Sequence, residues 1–287
     1  MKNIGKIILI VIGAALLGLG IKGLMDIPGQ QAILDAAVYL DEPVVLPENE
    51  GKLVIVHGAP EMTASACDKA LGVTLNTIKA IRYAEEYRRI SKAEQIETYD
   101  WVSAGSKTIV GEASLGGFDL DETILSTFSA NKEFSDFDAA QLSANGFSIS
   151  HGRTKEGART ERLWVIADGE YYYDLFEYNS SLDIPHYQRE LDKDTIEKRK
   201  DAKAFAYKVF AADSGAEWTI AGIQQGNRLV ADKSIGALVC SGVLTKDQLL
   251  SSNQGGIIGG AAVFMVLGAV LVFLGLRKPK AKEMISA

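Results

Sequence analysis

Twenty-two consecutive residues, Gly255–Leu276 (GGIIGGAAVFMVLGAVLVFLGL), carry no charge, and Arg277, Lys278, Lys280 and Lys282 follow at once. At ~1.5 Å per residue a helix of that length covers roughly 33 Å, enough to cross the hydrocarbon core of a bilayer. A buried helix of a soluble protein shows polar residues on one face, and this run shows none. The sequence therefore predicts a transmembrane helix over 255–276 and a basic tail over 277–287.

The start of the chain repeats the pattern. Ile7–Ile21 is an uninterrupted apolar run bounded by Lys6 and Lys22. Lys22 can snorkel and extend the span toward Met25. The rival reading is a cleaved signal peptide. GIKGLMDIPGQ offers no convincing small-x-small cleavage site, which favours an uncleaved anchor over 1–25. Lys2 and Lys6 precede the first span, four cations follow the second, and beyond Lys22 the next cation is Lys52. The positive-inside rule then places both termini in the cytoplasm and residues 26–254 on the extracytoplasmic side, periplasmic or extracellular in a bacterium and lumenal in a eukaryote.

Charge separates these regions further. Seven of the 30 basic residues and one of the 37 acidic residues lie outside 26–254, leaving 23 against 36 in the body, about −13. Such a body repels phosphate backbones, so no nucleic acid is expected as a partner, while the cations sit where anionic lipid headgroups would be. Membrane lipids and other membrane proteins are the expected partners.

Both spans are rich in small residues. Ala14 and Gly18 are four apart, as are Gly255 and Gly259, and Gly256 and Gly260. This spacing lets helix backbones approach closely. The expected contact is between the two spans of one chain, with a homo-oligomer as the second choice; glycine is also simply common in membrane helices.

Within the body, PGQQAILDAAVYL predicts a short helix with Ile33, Ala36, Ala37 and Leu40 on one face. VVLPENEGKLVIVHGAP predicts a hairpin turning at Pro47, Asn49 and Gly51. VTLNTIKAIRYAEEYRRI fits a helix through Ile78, Ile81 and Ala84, or a strand through Leu75, Thr77, Ile81, Tyr83 and Tyr87. In SKTIVGEASLGGFDLDETILSTF a strand and glycine turn lead to a helix capped by Asp121, with Ile124, Leu125 and Phe128 inward. RLWVIADGEYYYDLFEY predicts a hairpin turning at Ala167–Gly169. RELDKDTIEKRKDAK reads as a solvated helix or insertion. AFAYKVFAA, EWTIAGIQQGNRLVADKS and GALVCSG read as strands, and Thr245 caps a short closing helix, KDQLLSS. The fold class is α+β: a strand-rich extracytoplasmic domain flanked by two transmembrane helices.

No catalytic constellation stands out. His57, His151 and His186 are scattered. Ser114 lies among glycines, but Glu112 occupies the place where a nucleophile elbow needs glycine. Tyr171–Tyr173 suits a core or a membrane-facing surface as well as a binding patch. Cys67 and Cys240 fit either one long-range disulfide or two buried free thiols. No metal, cofactor-binding or catalytic residue is assigned.

Glu50–Gly58 (EGKLVIVHG) resembles the EGKLV opening of the transmembrane protein 43 (LUMA) family, which also follows an N-terminal span and short helix. Ile81–Tyr87 (IRYAEEY) is similar to that family's R-x-x-E-x-Y strand, which favours strand for this segment. Leu115–Leu120 (LGGFDL) resembles its GxFxL step. IAGIQQGNRLVADKSIGALVCSGVLTKDQLLSSN resembles its late hairpin, strand and closing helix. The chain departs from the family in running almost directly from Trp101 to the glycine step. It also has one C-terminal span where eukaryotic members have several. The resemblance implies a prokaryotic-type protein of the plasma (inner) membrane whose domain organises or binds other membrane proteins, and it carries over no catalytic residue, so the first reading is a non-enzymatic scaffold. The alternative is a cell-envelope enzyme or ligand-binding sensor, which a pocket gathering His151, Arg153 and acidic groups would favour.

Overall fold

The computed structural model describes residues 2–93, 96–153, 159–167, 175–176, 202–211 and 216–277. Two long helices begin and end it: α1 (Lys2–Asp35), 34 residues, and the final helix α4 (Lys246–Leu276), 31 residues. At ~1.5 Å per residue they measure roughly 51 and 46 Å. Both are long and apolar enough to cross a membrane, and only 11% of each apolar window is buried inside the protein.

These lengths correct the expectation of short helices beside the spans. The helix foreseen after the first span is the last part of α1 itself, which runs through Pro28 and stops at Asp35, so that Val38 and Tyr39 are strand. The closing helix is the first turn of α4. Thr245 caps it as predicted, its side chain accepting from the Gln248 amide while the Gln248 side chain accepts from the Thr245 amide. Nothing after Ser252 breaks the helix, so it continues into the apolar run.

Among the described residues, the body between them is built from strands with two short helices, α2 (Glu122–Thr127) and α3 (Ala139–Ala144). β1 (Val38–Tyr39), β2 (Leu53–Gly58) and β3 (Glu61–Ala64) come first, then a ribbon of β4 (Ala66–Asp68) and β5 (Val73–Leu75). The long pair β6 (Lys79–Ala93) and β7 (Ile96–Val110) precedes β8 (Glu112–Leu115) and β9 (Phe118–Leu120). β10 (Lys132–Glu133), β11 (Phe147–Arg153), β12 (Arg159–Ala167) and β13 (Leu175–Phe176) follow. β14 (Lys203–Val209), β15 (Trp218–Gln225), β16 (Arg228–Val230) and β17 (Leu238–Ser241) complete the set.

The first sheet has the order β1-β2-β15-β16-β9-β8-β3, with β17 also on β15. β2, second in that order, is buried on both faces, because alternate residues enter different cores. Val54 and Val56 pack with Leu115, Phe118, Ile124, Phe128 and Ile220, beneath α2. Leu53 and Ile55 pack with Leu34 of α1 and Leu249 and Leu250 of α4. The ends of both long helices are thus part of the core of the body.

The second sheet has the order β13-β11-β12-β14-β6-β7, with β10 on β14. The ambiguous segment is strand, β6, and Tyr87 packs edge-on to Trp101 of β7 at 5.6 Å. β7 passes through Gly111 into β8 and so from the second sheet to the first. A Cβ at Gly111 would lie 2.2 Å from the Ala64 carbonyl oxygen, so only glycine fits where the two chain segments cross.

Two predicted hairpins are corrected. Pro47–Asn49 does form a 3-10 turn before β2, but the strand beside β2 is β1, and it runs parallel. β12 forms its hairpin with the preceding β11, and β13 then pairs parallel with β11. The Asp168–Gly169 turn, Tyr171–Tyr173, His186 and most of the charged segment before Lys203 lie outside the described residues. The β15–β16 hairpin matches its prediction, with Gly226 at φ +59°.

Candidate functional site

Three places bring chemically distinctive groups together: the contact between the long helices, a buried ionic cluster behind β4, and a groove where the two sheets meet.

The helices pack antiparallel through a narrow seam. A Cβ at Gly13 would stand 2.7 Å from the Gly268 carbonyl oxygen, and one at Gly268 would stand 2.7 Å from that of Gly13. Gly20 meets Met265 and the Ala261 carbonyl, and Gly275 meets Ile10 and the Lys6 carbonyl. Gly13 and Gly20 are seven apart, as are Ala261, Gly268 and Gly275, the spacing of a left-handed helix pair.

The residues foreseen for this contact stand elsewhere. Ala14, Gly18, Gly255, Gly259 and Gly260 are exposed, and nothing lies within 4 Å of a Cβ built on any of these glycines. Gly256 is on the same helix, α4. The expected pairing of the two helices does occur, but through the seven-residue repeat instead of the four-residue one. Small residues at both spacings were visible; only the structure decides which stripe turns inward.

Each end of the seam is closed by a lysine. The Lys6 ammonium donates to the carbonyl of Arg277, the C-cap of α4, at 2.8 Å. At the other end the Lys246 ammonium donates to the carbonyls of Asp35 and Ala37, where α1 stops. A cation therefore meets the negative end of each helix dipole. Lys22 reaches one turn toward the body, to the Asp26 carboxylate at 3.2 Å.

Behind β4 the fully buried Asp68 carboxylate accepts from Arg82 at 2.7 Å, the Tyr207 hydroxyl at 3.0 Å and the Ala70 amide at 3.2 Å. Arg82 also lies over the Phe205 ring. Burial, and then the Asp68 carboxylate, push the Tyr207 hydroxyl far above its ordinary pKa. The carboxylate's acceptor sites are taken up by the fold, and the cluster ties the β4–β5 ribbon to the second sheet. Nearby, buried Lys79 donates to the carbonyls of Ser126 and Phe128 at the end of α2, and burial lowers its pKa.

At the junction of the sheets an open groove of about 800 Å³ is lined by β7 from Lys107 to Val110 and by Cys67, Lys69, Glu112, Glu122 and Arg228. Lys69, Lys107, Glu112, Glu122 and Arg228 are all exposed. None of these five has an ion pair or side-chain hydrogen bond among the described residues. One wall is β7, which pairs only with β6 among the described residues and so presents an open sheet edge.

The remaining candidates stay apart from this groove. His57 stacks on Tyr39, with their ring centroids 5.9 Å apart. His151 and Arg153 belong to β11, and their side chains lie outside the described residues. Ser114 sits in the β8–β9 ladder. Both cysteines are free: Cys67 is exposed in β4 and Cys240 half-buried in β17, so neither the disulfide nor the pair of buried thiols is what forms. No three His, Cys, Asp or Glu side chains converge as metal ligands among the described residues.

No protein-family model matches the chain, and neither does a curated protein or a solved structure.

Proposed function

We propose that this is an integral membrane protein whose two helices span the bilayer as a hairpin and whose strand-rich body, residues 26–254, is an extracytoplasmic, non-enzymatic module for binding and organising other membrane proteins. The observation that carries the reading is the register of the helix pair. Lys6 lies beside Arg277, Gly13 beside Gly268 and Gly20 beside Ala261, so the two apolar stretches begin and end at the same depth. A pair of core helices has no reason to align its apolar and polar zones in this way; a bilayer imposes that alignment.

The helices continue past the apolar layer. Asp26–Asp35 of α1 adds ten residues, about 15 Å at ~1.5 Å each. The polar start of α4, beginning at Lys246, runs beside it. Because Leu34, Leu249 and Leu250 are set in the core of the first sheet, this segment is a stiff stalk, not a hinge. The body is carried above the headgroups at a set height and with a set tilt, where a flexible tether would let it wander. That favours lateral contacts with neighbouring membrane proteins. The resemblance to transmembrane protein 43 supports the same role, as a single-C-terminal-span member at the plasma membrane.

Reporter fusions test the topology. A reporter fused after Ala287 should be active only in the cytoplasm and one inserted at Asp213 only outside; the reverse pattern overturns the orientation. Co-purification in mild detergent tests the role: a stoichiometric membrane-protein partner supports it, and a chain that behaves only as an unaccompanied monomer contradicts it.

A further inference from the structure

Resting on the membrane-spanning reading, we propose that the end of the helix pair formed by the start of α1 and the end of α4 is a binding site for an anionic glycerophospholipid, with Lys6 and Arg277 holding the headgroup phosphate. The helix register places the site. Lys6 directly precedes the apolar run of α1, Arg277 directly follows that of α4, and the Lys6 ammonium donates to the Arg277 carbonyl at 2.8 Å. Two cationic residues are therefore held side by side at one depth, where the apolar layer ends and headgroup phosphates begin. Lys6 uses one of its three N–H donors on that carbonyl, which leaves two for a phosphate oxygen. Arg277 is exposed, and its guanidinium has no ion pair or side-chain hydrogen bond among the described residues. Its planar fork matches two phosphate oxygens at once.

The sequence around this end leaves its charge unopposed. Residues 1–21 and 277–287 hold Lys2, Lys6, Arg277, Lys278, Lys280 and Lys282 against one acidic residue, Glu283: six against one, an excess of five. The helices are antiparallel, so the positive end of one dipole lies beside the negative end of the other; the two offset and the side-chain excess stands. The opposite boundary of the pair differs. There Lys22 has its own carboxylate, that of Asp26 at 3.2 Å, and no lipid anion is needed to balance it. The two leaflets are thus asymmetric, and anionic headgroups gather at the Lys6–Arg277 end. Each cation close to an anionic surface strengthens such binding roughly fivefold. A lipid fits better than a free anion or an acidic protein because no polar spacer separates the cations from the apolar runs. Ile7, Phe273 and Leu276 are exposed beside them, so acyl chains cover these side chains while the phosphate meets the charges.

The experiment places the full chain in mixed micelles holding equal amounts of phosphatidylglycerol and phosphatidylcholine with the same acyl chains, and native mass spectrometry reads which lipid stays bound. The proposal expects phosphatidylglycerol to be retained about tenfold or more over phosphatidylcholine, the effect of two such cations. Arg277→Gln, which leaves the Arg277 carbonyl in place, should lower that ratio roughly fivefold. Lys6→Gln should lower it to a similar extent, and Lys6→Arg should restore it. Lys22→Gln, at the opposite boundary, should leave it unchanged. Equal retention of the two lipids, indifference to Arg277→Gln, an equal fall in Lys22→Gln, or displacement of the lipid by inorganic phosphate at the lipid's own concentration each overturns the proposal. A chain that inserts into membranes without headgroup preference sinks this site and leaves the membrane-spanning reading intact. A chain that stays soluble without detergent sinks both.

Discussion

Lys246, in the first turn of α4, holds the main-chain carbonyl of Asp35, the last residue of α1, and so closes the end of the helix pair that meets the body. The same ammonium also reaches the Ala37 carbonyl at 3.2 Å. One side chain thus ends one helix, begins the other and faces the first sheet.

Lys246→Met should lower the thermal midpoint in detergent. A charge-assisted bond of this kind contributes about 1.5–3 kcal/mol, and the loss should appear as a drop of several degrees. Lys246→Arg keeps the charge and should recover part of the loss. An unchanged midpoint for Lys246→Met would show that the cap contributes nothing.

The seam predicts a sharp contrast between glycines that look alike in the sequence. Gly13→Leu and Gly268→Leu should each force the helices apart, because a Cβ alone already stands 2.7 Å from the facing carbonyl. Overpacking of this kind costs about 1–3 kcal/mol or more. Gly18→Leu and Gly259→Leu meet open space and should be tolerated. Disulfide cross-linking between cysteines at Gly23 and Ala261, whose Cβ atoms would stand 3.9 Å apart, reads the pairing directly. It should fail in the first two variants and persist in the second two.

Asp68→Asn leaves the Arg82 guanidinium without its carboxylate. Removing one partner of a buried pair costs about 3–5 kcal/mol, and chemical denaturation should show a loss of that order. The Tyr207 hydroxyl sets an alkaline limit. Its pKa is raised in the folded state, so the folded protein holds the proton more tightly and stability is lost as pH rises above the ordinary tyrosine value of 10.0. Tyr207→Phe should weaken the protein modestly at neutral pH and flatten its decline above pH 10.

Lys79 acts in the opposite sense. Burial lowers its pKa in the folded state, so the unfolded chain binds the proton more tightly and stability rises with pH up to the ordinary value of 10.5. Lys79→Met should remove that rise. It should also leave the Ser126 and Phe128 carbonyls without their donor, at a cost of about 1–3 kcal/mol at neutral pH. A variant that keeps the wild-type slope between neutrality and pH 10.5 would contradict the assignment.

What the sequence discloses is local. Asp121 and Thr245 are recognisable caps because the groups they satisfy lie within three residues, and the Ile124 amide indeed donates to Asp121 at 2.8 Å. The β15–β16 turn is legible for the same reason. Partners distant in the chain are not. Pro47–Gly51 looks like a hairpin turn, but nothing in it tells that β1 returns beside β2 in parallel. Small residues at spacings of four and of seven coexist in both long helices, and which stripe faces inward is set by contacts between segments more than two hundred residues apart in the chain. The groove is built from β4, β7, β8, α2 and β16, segments more than a hundred residues apart. No periodicity could have gathered Lys69, Lys107 and Arg228.

The central claim is that the two long helices cross a bilayer and leave the body on one side. Exposed Cys67 provides a native label in the body. In sealed spheroplasts expressing the full chain with Lys2→Cys, a membrane-impermeant maleimide should modify Cys67 without detergent and the cysteine at position 2 only after detergent is added. Equal labelling of both without detergent, protection of Cys67 until detergent is added, or recovery of the chain in the soluble fraction would contradict the account.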